Sequence, residues 1–182
     1  MSVPDYIRTY SGHKFHTSPR PEDFDIRDIA RGLACASRWG GHTRWWYPVV
    51  PHCLFVAAML PRELKFDGLM HDLSEAYFCD IPSPFKALMP EYKEIEHSIM
   101  TAGSKRFGYK WPKPDLVKIA DSIALQEEHR AFFPHEYAED VLAVQRPLGI
   151  HLPEQWDFSE WETMSKEQIS NRFIYEFLKL RP

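Results

Sequence analysis

The stretch Gly68-Leu69-Met70-His71-Asp72-Leu73-Ser74-Glu75-Ala76-Tyr77 sets a histidine and an aspartate side by side in an otherwise apolar run, with a glutamate close behind. An unpaired acid beside a histidine is expensive to bury in apolar surroundings. A cation held by both side chains makes that burial tolerable. Adjacent helical residues can both turn toward one ion and still leave positions on it for water. The run therefore predicts a core helix, over residues 63–78, that carries chemistry as well as packing.

Outward from this helix the chain reads as more helices. Residues 1–24 hold Pro4, Gly12, Pro19 and Pro21 and predict an irregular arm, with a short hairpin around residues 10–15. Asp25 suits the cap of a first helix with Asp28 in its first turn. Ile26, Ile29, Ala30, Leu33 and Ala34 repeat at helical spacing, and Gly40-Gly41 ends the segment. Residues 39–47 form an aromatic loop. A second helix follows Pro51, a first-turn residue, and stops at Pro61. It is apolar nearly all round, which predicts burial. Pro82 and Pro84 predict a loop after the third helix.

A fourth helix is expected over 91–107, entered at Pro90 and left at Gly108, with Tyr92, Ile95, Ile99 and Met100 as its inner stripe. A fifth spans 115–132. Residues 134–164, with Pro134, Pro147 and Pro153, predict a short helix and then irregular chain. Ser165 and Gln168 form a capping-box pattern that opens a last helix with Ile169, Phe173 and Phe177 inward. Strand-like alternation is nearly absent. The expected fold class is all-α, a single bundle-like domain over 1–182.

Composition narrows the function classes. The formal net charge of -4 gives no general attraction to a nucleic acid polymer, although local cations could still hold a nucleotide-sized anion. No apolar run reaches the ~18 residues a membrane span requires. The N-terminal residues do not resemble a secretory leader. Cys35, Cys53 and Cys79 show neither paired spacing nor a C-x-x-C, against a disulfide framework or a zinc ribbon. The expectation is a cytoplasmic protein with reduced thiols.

Four candidate ligands fall on three predicted helices: His52, the pair His71 and Asp72, and Asp121 in an apolar run from 118 to 125. Each alone has an ordinary reading. His52 could be a core or first-turn histidine, and Asp121 a buried acid paired to Lys118 or Arg130. Together they are how bundles build metal sites. Two imidazoles and two carboxylates suit one borderline divalent ion such as Zn, Co, Mn or Fe(II).

The order His…His-Asp…Asp resembles the HD-domain metal-dependent phosphohydrolases. The likeness extends to Arg38-Trp39 upstream, to Glu75, and to Asp80-Ile81-Pro82-Ser83-Pro84-Phe85-Lys86. This last run resembles the Asp-x-Pro-x-Pro-x-Lys loop of the nucleotidase branch, which includes bacterial 5′-deoxynucleotidases and phage enzymes that destroy dATP. The stretch from Tyr10 to Phe15 and Asp28-Ile29-Ala30 are similar to phage-borne members, for which the compartment is the host cytoplasm. The resemblance covers most of residues 6–125. One departure is Val50-Pro51-His52-Cys53, where relatives often place a serine after the histidine.

The resemblance implies an HD-type bundle with His52, His71, Asp72 and Asp121 around one divalent transition metal. Glu75, four residues after His71, is expected on the same helix face, orienting or deprotonating water or protonating the leaving oxygen. Asp80 is expected in the site, holding water or accepting from a sugar hydroxyl. Arg38, Lys86 and Lys118 are the expected phosphate donors, and Trp39 would stack on a base or wall off the sugar. Two-metal members add two histidines between the His-Asp pair and the last Asp. That interval here holds only His97, expected on the helix surface, so one metal is expected. His13 and His16 lie in the arm without acids near them in sequence and are read as non-metal.

The expected reaction is water attack on the α-phosphorus of a 2′-deoxynucleotide, with the deoxynucleoside leaving. Lys86 with Lys118 leans toward a triphosphate, and the phage-like N-terminal stretch toward dATP, hence a triphosphohydrolase. The alternatives are a 5′-deoxynucleotidase acting on monophosphates and a non-catalytic regulatory module that binds nucleotide. A homo-oligomer is expected, with a deoxynucleotide as partner and no membrane.

Overall fold

A computed structural model describes residues 3–134 and 147–182 of the chain. It is mostly helical, with one two-stranded sheet. In that sheet β1 (Tyr6–Arg8) pairs antiparallel with β2 (Lys14–His16), with Tyr6 opposite His16. The hairpin is thus wider than expected, and residues 9–13 make its turn. Phe15 points inward and stacks on Tyr77, ring centroids 3.5 Å apart, which pins the arm to the helices.

Helix α1 (Ile26–Leu33) begins as expected: the Asp25 carboxylate accepts from the Arg27 amide. It ends well before Gly40. The chain leaves the helix to form a bridge between Ser37 and Pro48, and then a 3-10 turn over Arg38–Gly41 in which Trp39 and Gly40 are left-handed, φ 57° and 61°. Helix α2 (Val49–Met59) starts two residues before Pro51 and is buried almost throughout, as its all-round apolar character predicts.

The continuous third helix is not what forms. A 3-10 turn, Arg62–Leu64, leads into α3 (Lys65–Met70), and α4 (Glu75–Phe78) follows after four residues of tight turn. Across the break the amides of Leu73, Glu75, Ala76 and Tyr77 each bond the carbonyl three residues back, so the path tightens at the His-Asp pair. Gly68 lets α3 press on α2: a Cβ there would lie 3.2 Å from Ala57 Cα and 2.5 Å from Leu60 Cδ1. Pro82 and Pro84 enclose a one-turn helix, α5 (Ser83–Lys86), rather than an open loop, because a first turn needs no amide donor from Pro84.

Helix α6 (Pro90–Phe107) buries Tyr92, Ile99 and Met100 as expected, but Ile95 is exposed. Helix α7 (Asp115–Phe132) has the expected bounds. The short helix expected after residue 134 lies outside the described residues. A 3-10 segment, Phe158–Glu162, buries Trp161. Helix α8 (Lys166–Leu180) opens with the Ser165–Gln168 capping box and buries Ile169, Phe173 and Phe177.

Helix α2 lies at the centre, packed by α3, α7 and α8, while α1 rests on α4 and α8. No helix among the described residues is long and apolar enough to cross a membrane.

Candidate metal centre

The central helix presents His52 from its first turns, the tight turn after α3 presents His71 and Asp72, and α7 presents Asp121. One ligand atom from each of the four lies within 4.8 Å of every other. His52 Nε2 is 3.2 Å from His71 Nε2 and 3.1 Å from Asp121 Oδ1. His71 Nε2 is 3.1 Å from Asp72 Oδ2 and 3.6 Å from Asp121 Oδ1. A tetrahedral or octahedral ion with bonds of about 2.1 Å has ligand–ligand edges of roughly 3.0–3.4 Å. The shorter spacings match such edges, while the set as a whole extends over up to 4.8 Å.

The tautomers fit the same conclusion. His71 Nδ1 donates to the Gly68 carbonyl at 2.7 Å, and His52 Nδ1 donates to Glu128 Oε1 at 2.8 Å. Each ring spends its Nδ1 proton outward and turns an Nε2 lone pair inward. Two lone pairs and two carboxylate oxygens then face one another with no donor among them. A cation must sit there, a proton in the metal-free protein or a metal ion. Burial disfavours the imidazolium of both histidines. For His71 the negative charges of Asp72 and Asp121 overcome it and raise the pKa well above the ordinary value. For His52 Arg38 adds to the opposition, yet Glu128 and Asp121 still raise it. Burial works against the charged forms of Asp72 and Asp121 as well, but His71 and Lys113 hold both carboxylates well below the usual range. Cys53 beside them is buried, which pushes its thiol up to about 11 and keeps it protonated in the metal-free protein.

A chain of ion pairs adjoins the cluster. Lys86 Nζ donates to Glu75 Oε1 at 2.9 Å and lies 3.8 Å from Asp80, which in turn lies 3.9 Å from an Arg38 nitrogen. Glu75 Oε2 is buried and has no hydrogen-bond partner among the described residues. Burial, then Asp72 and Asp80, raise the Glu75 pKa well above normal, against the pull of Lys86.

One expected residue sits elsewhere. Lys118 is exposed and turns back to Asp115, 2.8 Å away, so it does not reach the mouth. Being one helical turn from Asp121 left its flexible stem free to follow the nearer acid on its N-terminal side. The Trp39 ring packs against His129 and Phe133. His97 is exposed, as expected. His16 and His13, read as lacking nearby acids, lie 3.0 Å from Asp23 and 4.0 Å from Asp25, because the arm folds onto the start of α1; neither joins a cluster of metal-ligating groups.

Two residues were missed. Glu128 is fully buried and accepts from His52, from Arg38 at 3.0 Å and from Tyr47 at 3.2 Å. It lies seven residues after Asp121, two helical turns on the same face, and that spacing was a readable signal. Lys113 Nζ lies 3.2 Å from Asp121 Oδ2 and 3.5 Å from Asp72 Oδ1. It comes from the proline-flanked loop before α7, where no periodicity marks a side chain's direction.

No protein-family model matches the sequence. The uncharacterized protein YfdR of Escherichia coli (strain K12) is 37% identical over 126 residues, 69% of this chain and 71% of its own length. The uncharacterized protein RCAP_rcc00048 of Rhodobacter capsulatus is 30% identical over 160 residues, 79% of this chain and 82% of its own. With identities of this size over more than two thirds of each relative, the chain belongs to the family of YfdR and RCAP_rcc00048.

Proposed function

We propose that the protein is a metal-dependent phosphohydrolase of the HD type that acts on 2′-deoxynucleotides in the cytoplasm. The observation that carries this reading is the convergence of two inward lone pairs and two carboxylates beside a buried glutamate, one of whose oxygens has no hydrogen-bond partner among the described residues. His52, His71, Asp72 and Asp121 would hold one divalent transition ion, Zn, Co or Mn. Such an ion polarises a phosphoryl oxygen and acidifies water.

The protein's own groups do the rest. Glu75, with its raised pKa, is suited to hold a proton on Oε2 and pass it to the leaving 5′-oxygen, or to take one from water. Lys86, which bonds Glu75, would supply a point charge for phosphate. Arg38 commits Nε and Nη2 to Glu128, which leaves Nη1, beside Asp80, for a phosphate oxygen. Asp80, beside Arg38 and Lys86, would accept from a sugar hydroxyl.

The lean toward a triphosphate rested on Lys86 and Lys118 together. Lys118 points away, so a 5′-deoxynucleotidase reading stands beside the triphosphohydrolase one. The test is product analysis of all four dNTPs and dNMPs with protein loaded with Zn, Co or Mn. Phosphate from a monophosphate, or triphosphate from a dNTP, is the expected product. Glu75→Ala is expected to keep metal and nucleotide binding while kcat falls about 10²-fold. Release of neither product under any metal sinks the enzyme reading and leaves the nucleotide-binding module.

A further inference from the structure

The two acids of the cluster each use one oxygen inward and one outward. Asp72 Oδ2 and Asp121 Oδ1 face the histidines. Asp72 Oδ1 and Asp121 Oδ2 both face Lys113 Nζ, at 3.5 and 3.2 Å. The lysine is mostly buried, with a side chain one-fifth exposed. Glu96, half-buried on α6, adds a further negative charge that Lys113 feels. A carboxylate with cations on both oxygens is the bridging arrangement of two-metal sites, in which the ions stand about 3.5–4 Å apart. Here an ammonium already occupies the outer position.

We propose that Lys113 is the built-in second cation of this centre: it restricts the site to one metal ion and presents a positive charge to the substrate phosphate. The inference rests on the metal reading above and deepens it. Two carboxylates balance one divalent ion, and the histidines are neutral as ligands. The lysine is then the excess positive charge at the mouth, where an anion would dock. An ammonium is a compact charge with three donors. Two of these are directed at the carboxylates, and the third is available to a phosphoryl oxygen. The lysine also keeps the outer oxygens apart from any incoming ion, since a second divalent cation would meet an ammonium in contact with both of its would-be bridging ligands. Among the described residues no further histidine joins the cluster, and Lys113 would in addition close the bridging oxygens to a second ion.

The test is metal stoichiometry and affinity, by elemental analysis and calorimetric titration with Zn2+ and Mn2+, on wild type, Lys113→Met and Lys113→Glu. Wild type is expected to bind one ion per chain. Lys113→Met, which keeps the stem and removes the charge, is expected to bind its ion about tenfold tighter or more, because the repulsion between ammonium and metal is gone. The same variant, metal-loaded, should bind inorganic phosphate about tenfold more weakly. Lys113→Glu supplies a third acid to the outer oxygens and is expected to bind two ions per chain. Unchanged metal affinity in Lys113→Met, or a single ion in folded Lys113→Glu, overturns the proposal. A wild type that takes up no ion fails at the earlier step and overturns the metal reading itself.

Discussion

At the level of single residues, protons and a metal ion would compete for the same lone pairs. The pKa values of His71 and His52 are both raised in the folded protein. Without metal, their contribution to stability is complete below the ordinary histidine value near 6.5 and disappears as pH rises through the raised folded values. Asp72 and Asp121 are depressed, so their contribution is present above the ordinary carboxylate range and is lost only as pH falls through their low folded values. A metal ligand must be deprotonated, so binding displaces imidazole protons. Metal affinity should therefore climb as pH rises from about 6 to 8, and titration in buffers of different ionisation enthalpy should register released protons. A flat affinity over that range contradicts the assignment of the two Nε2 atoms. Glu128 acts one bond further out. Its carboxylate fixes the His52 tautomer and binds Arg38. Glu128→Gln should weaken metal binding by about 10–100-fold in a competition assay against a chromophoric chelator. Tyr47→Phe, which removes only the 3.2 Å bond to Glu128, should change it far less.

At the level of elements, what was legible follows from periodicity and caps. Helix α7 has its expected bounds, and α6 and α8 come within a residue or so of theirs, because their ends carry Pro90, Gly108 and a capping box, which act locally. The break between α3 and α4 was not legible. Its cause is tertiary: α3 is pressed against α2 at Gly68, and the chain tightens where His71 and Asp72 meet His52 and Asp121. The four ligand candidates were readable because their order along the chain survives any error in helix bounds. Lys113 and the outward turn of Lys118 were not readable, since a long flexible side chain goes to whichever acid the fold sets nearest. The α2–α3 contact gives a direct test. In an exposed helix Gly→Ala stabilises by about 1 kcal/mol. At Gly68 a Cβ would meet Ala57 and Leu60, so Gly68→Ala should instead destabilise by about 1–3 kcal/mol, read from thermal melting. Metal affinity should fall with it, because α3 carries the carbonyl that orients His71.

At the level of the whole molecule, the cluster ties together parts of the chain that nothing covalent links. Position 52 lies on the central helix, 71 and 72 follow α3, and 121 lies on α7, with α2 in contact with both partners. An ion at that point would cross-link three helices through the core, and the unfolded chain cannot reproduce that geometry. Ligand binding to the folded state alone stabilises by RT ln(1 + [L]/Kd), about 2.7 kcal/mol at a hundredfold excess over Kd. For a chain of this size each kcal/mol corresponds to roughly 2–4 °C. Saturating Zn2+ or Mn2+ should therefore raise Tm by about 5–10 °C, and a chelator should reverse the gain. Asp72→Ala removes a ligand atom and one of the two carboxylates that Lys113 bridges, so its melting should be indifferent to metal. A variant that still gained the full increment would place the ion elsewhere. Any structural ion at the surface would be expected to produce a gain that Asp72→Ala leaves untouched, so the pair of melts separates a metal in the core cluster from metal bound anywhere else on the protein.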